Sequence, residues 1–365
     1  MGVAAHLFLA CSLVGGSLAS YSLVDNFEGS TFFSNFDFFT GEDPTHGFVK
    51  YVGEEEAWSA GLIDFESRYD GSTVVRMGAD HTNITPDGRP SVRISSKKSY
   101  NQGLWIIDFE HVPGPACGIW PAYWLLGPNW PTNGEVDIYE GINLDLSNTM
   151  TLHTGHNCTI SKDVQFTGRL TTPYCDQNAP PPLGGNGCTI KTDDPTSYSS
   201  GLNIAGGGVY ATEWTTEDLK ICFFPRIAGI PSDIRNGNPD PSNWGTPAAL
   251  FTGNCSFTES FRDMQIIFDI TFCGDWAGSP KIWEETPCSA VTTECKTFVE
   301  NYPHAFEEAY WAIKYLNVYQ EPTEAQLGQK LHNQWQHRRA HHCRHSLRWV
   351  LVTSRWPTIY HSCII

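Results

Sequence analysis

The chain has 365 residues and a hydrophobic content of 40%, enough to fill a core, which excludes an intrinsically disordered polymer. Its formal net charge is −17, unevenly spread: residues 322–365 hold six Lys/Arg against one Glu, so the preceding body is more acidic still. Such a body excludes nucleic acid as a partner, because phosphate binding needs clustered Lys and Arg.

Residues 1–20 carry the apolar run Leu7-Phe8-Leu9-Ala10 and end in Ser17-Leu18-Ala19-Ser20, the pattern of a secretory signal. No later stretch reaches 18 apolar residues, so neither a transmembrane span nor a membrane partner is expected. From residue 21 the chain reads as short β-branched and aromatic runs at 91–95, 103–109, 118–126, 136–140, 150–154, 209–214, 219–224, 264–272 and 312–319. The 33 Gly and 23 Pro supply turns between them. Many short strands with frequent turns predict an all-β sandwich or jelly roll, one large domain over 21–320. Helix is scarce, with 257–263 and 289–301 as the candidates.

Nine of the 12 cysteines fall between residues 117 and 295, which implies disulfides in a secreted chain. Nine is odd, so one of them is free or pairs with the tail. Cys117, in an apolar strand where a thiol acts as a small hydrophobe, is the candidate free residue. Cys175 and Cys188 are expected to staple the Pro/Gly/Asn-rich segment 173–208, which is either a wall of a binding cleft or a surface insertion. Asn83-Ile84-Thr85, Asn157-Cys158-Thr159 and Asn254-Cys255-Ser256 are glycosylation sequons.

The segment Asn133-Gly134-Glu135-Val136-Asp137-Ile138-Tyr139-Glu140-Gly141 carries the chemistry. It places three carboxylates in what otherwise reads as a buried strand, where charge is costly. Strand alternation puts Glu135 and Asp137 on one face and turns Glu140 away. A one-residue bulge at Ile138 or Tyr139 brings Glu140 back. Two glutamates flanking one groove suit a retaining glycosidase, whose carboxyl groups stand roughly 5 Å apart. A solvated edge or half of a calcium site would use the same acids. The flanking Cys117-Gly118-Ile119-Trp120-Pro121-Ala122-Tyr123-Trp124 and Asn129-Trp130-Pro131 favour sugar, whose C–H faces stack on aromatic planes.

With Trp120-Pro121-Ala122-Tyr123-Trp124 ahead of Gly134–Gly141, residues 21–320 resemble glycoside hydrolase family 16, and within it the fungal laminarinase-type endo-β-1,3(4)-glucanases. Asp25-Asn26-Phe27-Glu28-Gly29, Thr151-Leu152-His153-Thr154, Phe272-Cys273-Gly274-Asp275-Trp276-Ala277-Gly278 and Tyr310-Trp311-Ala312-Ile313 agree. The resemblance implies a concanavalin A-like β-jelly roll with a concave substrate cleft. It assigns Glu135 as nucleophile, Glu140 as acid/base and Asp137 as the assisting carboxylate, and it matches His153 to a residue on the neighbouring strand. Trp120, Trp124, Trp130 and Trp276 are candidate sugar platforms, and Arg93 a partner for sugar hydroxyls. Tyr100 and Trp105 are candidates for further subsites. The expected partner is a β-glucan, acted on by a secreted monomer without a cofactor, a structural calcium remaining open. A glucan transglycosylase or a non-catalytic glucan-binding protein would use the same fold. Residues 321–365, basic and holding six of the 13 His, are expected to be disordered or non-native, since the His/Cys spacing matches no zinc pattern.

Overall fold

Period-two alternation becomes two antiparallel eight-stranded sheets. The computed structural model describes residues 21–321 apart from residue 182, and Tyr21–Gln320 form one compact unit. The signal expected over 1–20 and the tail from 322 onwards lie outside the described residues. No helix among the described residues is long and apolar enough to cross a membrane.

One sheet runs Arg169–Thr172, Cys188–Lys191, Thr149–His153, Glu135–Glu140, Ile119–Leu126, Met264–Phe272, Arg93–Tyr100, Phe36–Phe38. The other runs Ala249–Phe251, Leu219–Pro225, Gly208–Trp214, Gly103–His111, Tyr310–Gln320, Thr73–Gly78, Ile63–Ser67, with Ser22–Glu28 also pairing with Tyr310–Gln320. Their facing side chains make a single apolar core, in which Tyr123, Val136, Ile138 and Phe268 of the first sheet join Trp105, Phe109, Trp214 and Trp311 of the second. Phe268 stacks on Tyr123 with ring centroids 4.7 Å apart, and Phe109 packs against both Tyr139 and Trp311. Truncating any of these large side chains to Ala would cost about 3–5 kcal/mol. The first sheet therefore turns its alternate residues, including the three motif acids, outwards on a rigid backing.

The expected strands are present, with ends shifted by a few residues. The run at 91–95 divides into Arg89–Ser91 and Arg93–Tyr100. Several other expectations are corrected. Residues 257–263 form turns, not a helix: Phe257 and Phe261 have helical spacing and stack at 5.9 Å, but Asp263 has a φ of 51°, which ends the segment. Only Cys295–Asn301 of the second candidate is α-helical, preceded by a 3-10 turn at Pro287–Ala290. Short helices at Glu54–Ser59, Ser199–Ile204 and Pro280–Glu285 gave no sustained apolar periodicity.

The disulfides among the described residues are Cys117–Cys288, Cys158–Cys255, Cys175–Cys188 and Cys273–Cys295. The expected staple across 175–188 is present. Cys117 is not the free thiol. Among the described residues the cysteine outside these bonds is Cys222, which is buried and points away from the main core into a small apolar cluster with Leu104, Ile106, Val209 and Ala211. Asn83, Asn157 and Asn254 are all exposed, as glycan acceptors must be.

Candidate active site

The strand Glu135–Glu140 alternates regularly as far as Asp137, which pairs with Trp124. The next paired residues are Tyr139 with Tyr123 and Glu140 with Ala122, so Ile138 is the extra residue of a bulge. Ile138 and Tyr139 are both fully buried in the core, and Glu140 emerges on the face of Glu135 and Asp137. Asp137 is 2% exposed, whereas Glu135 and Glu140 remain partly open to solvent.

The neighbouring strands dress this face. Trp120 and Trp124, four residues apart on Ile119–Leu126, both turn outwards despite Pro121. Trp120 Nε1 donates to Glu140 Oε1 at 2.9 Å, and Trp276 meets Trp120 edge-on with centroids 5.4 Å apart. The Arg93 guanidinium lies 4.9 Å from the Phe39 ring centroid and 5.1 Å from that of Trp124. Trp130 is 52% exposed, the most open aromatic among the predicted site residues. His153, paired across the ladder with Glu135, places Nε2 3.4 Å from Asp137 Oδ2 and 3.8 Å from Glu135 Oε1. The nine predicted site residues thus come together, Trp276 through Trp120 and Trp130 through a side-chain hydrogen bond to Glu135. Tyr100 and Trp105 do not join them. Both are buried in the core, and Trp105 stacks on Trp214, because its strand belongs to the other sheet.

Two participants escaped the sequence reading. Asp269 is buried on Met264–Phe272 and accepts from Trp124 Nε1 at 3.1 Å. A lone carboxylate in a nine-residue strand that is otherwise apolar but for Gln265 and Thr271 was the available signal. Gln177 reaches His153 from the stapled segment. Its carboxamide is satisfied when the oxygen accepts from His153 Nδ1 and from Gly187 N, and the nitrogen donates to Gly185 O. Gly187 is required for this approach: its φ is +66°, and a Cβ there would sit 2.7 Å from His153 Cε1. The segment 173–208 therefore reaches the site.

Electrostatically the face is crowded with acid. Burial, with Asp137 beside it, pushes Glu135 up to about 8, against smaller opposing effects of His153 and Arg93. Burial and the Asp269 charge raise Asp137 to about 8. Glu140 is held well above the usual carboxylate range by burial and then by Asp137. Asp269 rises to about 7, through burial, with Arg93 opposing. Such a cluster retains protons into the neutral range, as acid/base chemistry on carboxyl groups requires. Glu135, Asp137 and His153 each place a ligand atom within 4.8 Å of the others and so could also face a cation, but these are the same atoms that the carboxyl chemistry would employ.

Comparison with known proteins agrees with the geometry. Residues 36–319 match the model of the XgeA-like catalytic domain of glycoside hydrolase family 16. A probable endo-1,3(4)-beta-glucanase of Aspergillus niger is 44% identical over 327 residues, covering 87% of this chain and 42% of that protein. An endo-1,3(4)-beta-glucanase of Arthroderma benhamiae is 42% identical over 321 residues, covering 87% of this chain and 68% of that one. The chain thus spans less than half of the first relative and about two thirds of the second. Among solved structures, Laminarinase 16A from Phanerochaete chrysosporium, which holds 6-O-glucosyl-laminaritriose in donor and acceptor sites, is 41% identical with a TM-score of 0.76. An elongating family 16 beta-1,3-glucosyltransferase is 42% identical with a TM-score of 0.74. Each comparison covers 82% of this chain and 100% of the other. The jelly roll, the matched span and these identities together show that the chain belongs to the XgeA-like catalytic domains of glycoside hydrolase family 16.

Proposed function

We propose that this chain carries the catalytic domain of a secreted endo-β-1,3(4)-glucanase that cleaves internal bonds of laminarin-like and mixed-linkage glucans with retention. The observation that carries the reading is the bulge at Ile138, which returns Glu140 to the face of Glu135 and Asp137 amid Trp120, Trp124, Trp130 and Trp276. The names of the relatives support the substrate class. Four disulfides support an oxidising, extracellular destination.

In this mechanism Glu135 attacks the anomeric carbon while Glu140 gives its proton to the departing glycosidic oxygen. The C–O bond to the leaving sugar breaks as the bond to Glu135 forms. Water then displaces Glu135 from the opposite side, and Glu140, now a carboxylate, takes the proton from that water. The reactive form needs charge on Glu135 and a proton on Glu140. Burial and Asp137 raise both glutamates, but Arg93 favours charge on Glu135 and the Glu135 charge in turn raises Glu140, so one retained proton is better placed on Glu140. Asp137, oriented beside His153, steadies the nucleophile. The exposed Trp130 offers a sugar platform, and Arg93 serves sugar hydroxyls or holds Trp124 in place.

The test is a product time course on laminarin and barley mixed-linkage glucan, followed by mass and anomeric NMR, for the wild type, Glu135→Gln and Glu140→Gln. Short products born in the β-configuration are expected, with losses of about 10³-fold or more in Glu135→Gln and at least about 10²-fold in Glu140→Gln, both folded. Full activity in either variant would sink the assignment. Products longer than the starting oligosaccharide would place the chain with the glucosyltransferase neighbour instead.

A further inference from the structure

The bulge that brings Glu140 into the site also breaks the backbone ladder beside it. Glu135, Val136 and Asp137 pair with His153, Leu152 and Thr151, and there the pairing with Thr149–His153 stops. Beyond that point the Ile138 carbonyl and the Glu140 N–H lie in a buried region without a strand to bond them, where an unpaired backbone group is costly. One side chain takes the place of the missing strand. Asn148, fully buried, accepts from Glu140 N through Oδ1 at 2.8 Å and donates to the Ile138 carbonyl through Nδ2 at 2.7 Å.

We propose that Asn148 is a positioning residue for the acid/base: its carboxamide closes the bulge and sets the direction in which Glu140 leaves the backbone. This rests on the reading of Glu140 as acid/base given above. The two hydrogen bonds fix the peptide groups on either side of Tyr139, and with them the Cα–Cβ direction of Glu140. Trp120 Nε1 holds the other end of the same side chain at 2.9 Å. Glu140 is thus held at its root by Asn148 and at its tip by Trp120. Only a short carboxamide offers a donor and an acceptor on neighbouring atoms at this reach, so Asn is specifically suited. Asp keeps the acceptor and loses the donor, and Leu of similar volume loses both.

Asn148 is itself held by the segment that the sequence left between wall and decoration. Its N–H donates to Ser197 Oγ at 3.3 Å, and its carbonyl accepts from Thr192 N at 2.9 Å. Ser197 Oγ lies 2.5 Å from Thr192 Oγ1 and donates to the Asp194 carbonyl at 2.7 Å. One residue further, Tyr198 stacks on Tyr139, and Ser199 N donates to Tyr139 Oη at 2.9 Å. Residues 192–199 therefore grip both the bulge and the residue that clamps it.

The decisive measurement compares two substrates on Asn148→Leu. Laminarin has a poor leaving group and needs the Glu140 proton, whereas a 2,4-dinitrophenyl β-laminarioligoside does not need it in the first step. On laminarin kcat is expected to fall about 10–100-fold with KM changed by less than about twofold. The dinitrophenolate burst, which reports Glu135 attack alone, should keep its rate within about threefold, and the alkaline limb of the laminarin pH profile should move. Equal losses on both substrates, or no loss on either, would overturn the proposal. Should Asn148→Leu not fold, Asn148→Asp, of the same size, and Ser197→Ala, which takes the acceptor from the Asn148 N–H, must show the same split between substrates. Failure of the wild type to turn over either substrate would instead count against the glucanase reading.

Discussion

Two buried carboxyl groups, Asp137 and Asp269, and the partly buried Glu135 face one guanidinium, Arg93, and one imidazole, His153. That arrangement carries a stability cost with a definite pH dependence. Glu135 has an ordinary value of 4.5 and is raised to about 8 in the fold. Between those two pH values the folded state binds more protons than the unfolded chain, so stability falls as pH rises, by up to about 1.4 kcal/mol per pH unit for such a group. Below pH 4.5 both states are protonated and the effect vanishes. Glu135→Gln, expected to lack activity, should therefore melt higher than the wild type at pH 8, with the gap shrinking steadily towards pH 4.5. Calorimetry of the two proteins across that range checks it, and a gap that does not depend on pH would refute the linkage. The acids and most of the aromatics of the site were readable in the sequence because the chemistry lives in residue types at short spacing. Asp269 was not, since its contact with Trp124 depends on which strands are neighbours. Tyr100 and Trp105 were misplaced because composition names an aromatic residue but not the side of the sheet it faces: Trp105 sits on the opposite sheet, and Tyr100, on the same sheet as the acids, turns inwards to the core.

At the scale of elements, the bulged strand was legible from a conflict. Three acids on one strand could not share a face at period two, and Ile138 resolves that by an extra residue. The segment 173–208 was not legible in the same way. Its Pro and Gly content reads as loop, yet it contributes the strand Cys188–Lys191, the helix Ser199–Ile204 and the Gln177 contact to His153. Gly187 is the position where that contact is most exposed to disturbance. A methyl there meets Thr151 Cγ2 at 2.5 Å and His153 Cε1 at 2.7 Å, at a backbone angle that L-residues avoid. Gly187→Ala should therefore displace His153 from the Asp137 carboxylate. The expected outcome is a kcat on laminarin lower by about 10-fold or more, with a Tm drop of only a few degrees, since the strain falls at the end of a strand in the outer part of the sheet. A variant with unchanged kcat would show that His153 has no part in the reaction.

Across the whole molecule the disulfides divide into two kinds. Cys117–Cys288 joins residues 171 apart, linking the start of the Ile119–Leu126 strand to the turn Pro287–Ala290. Cys175–Cys188 joins residues only 13 apart, within the segment that touches His153. Loop-closure entropy assigns about 5 kcal/mol to the first crosslink and about 3 kcal/mol to the second. Function should rank them the other way. The long crosslink has both ends outside the segment 173–208, whereas the short one lies within it and fixes the approach of Gln177 and Gly187 to the imidazole. Replacing Cys117 and Cys288 with Ala should lower Tm more, yet leave kcat on laminarin close to wild type wherever the protein is folded. Replacing Cys175 and Cys188 should lower Tm less and kcat more. Calorimetry and steady-state kinetics on the two double variants separate these effects. If the long-loop variant instead lost more of both, stability and site geometry would prove inseparable, and the segment 173–208 would lose its claim to a local role beside the acids.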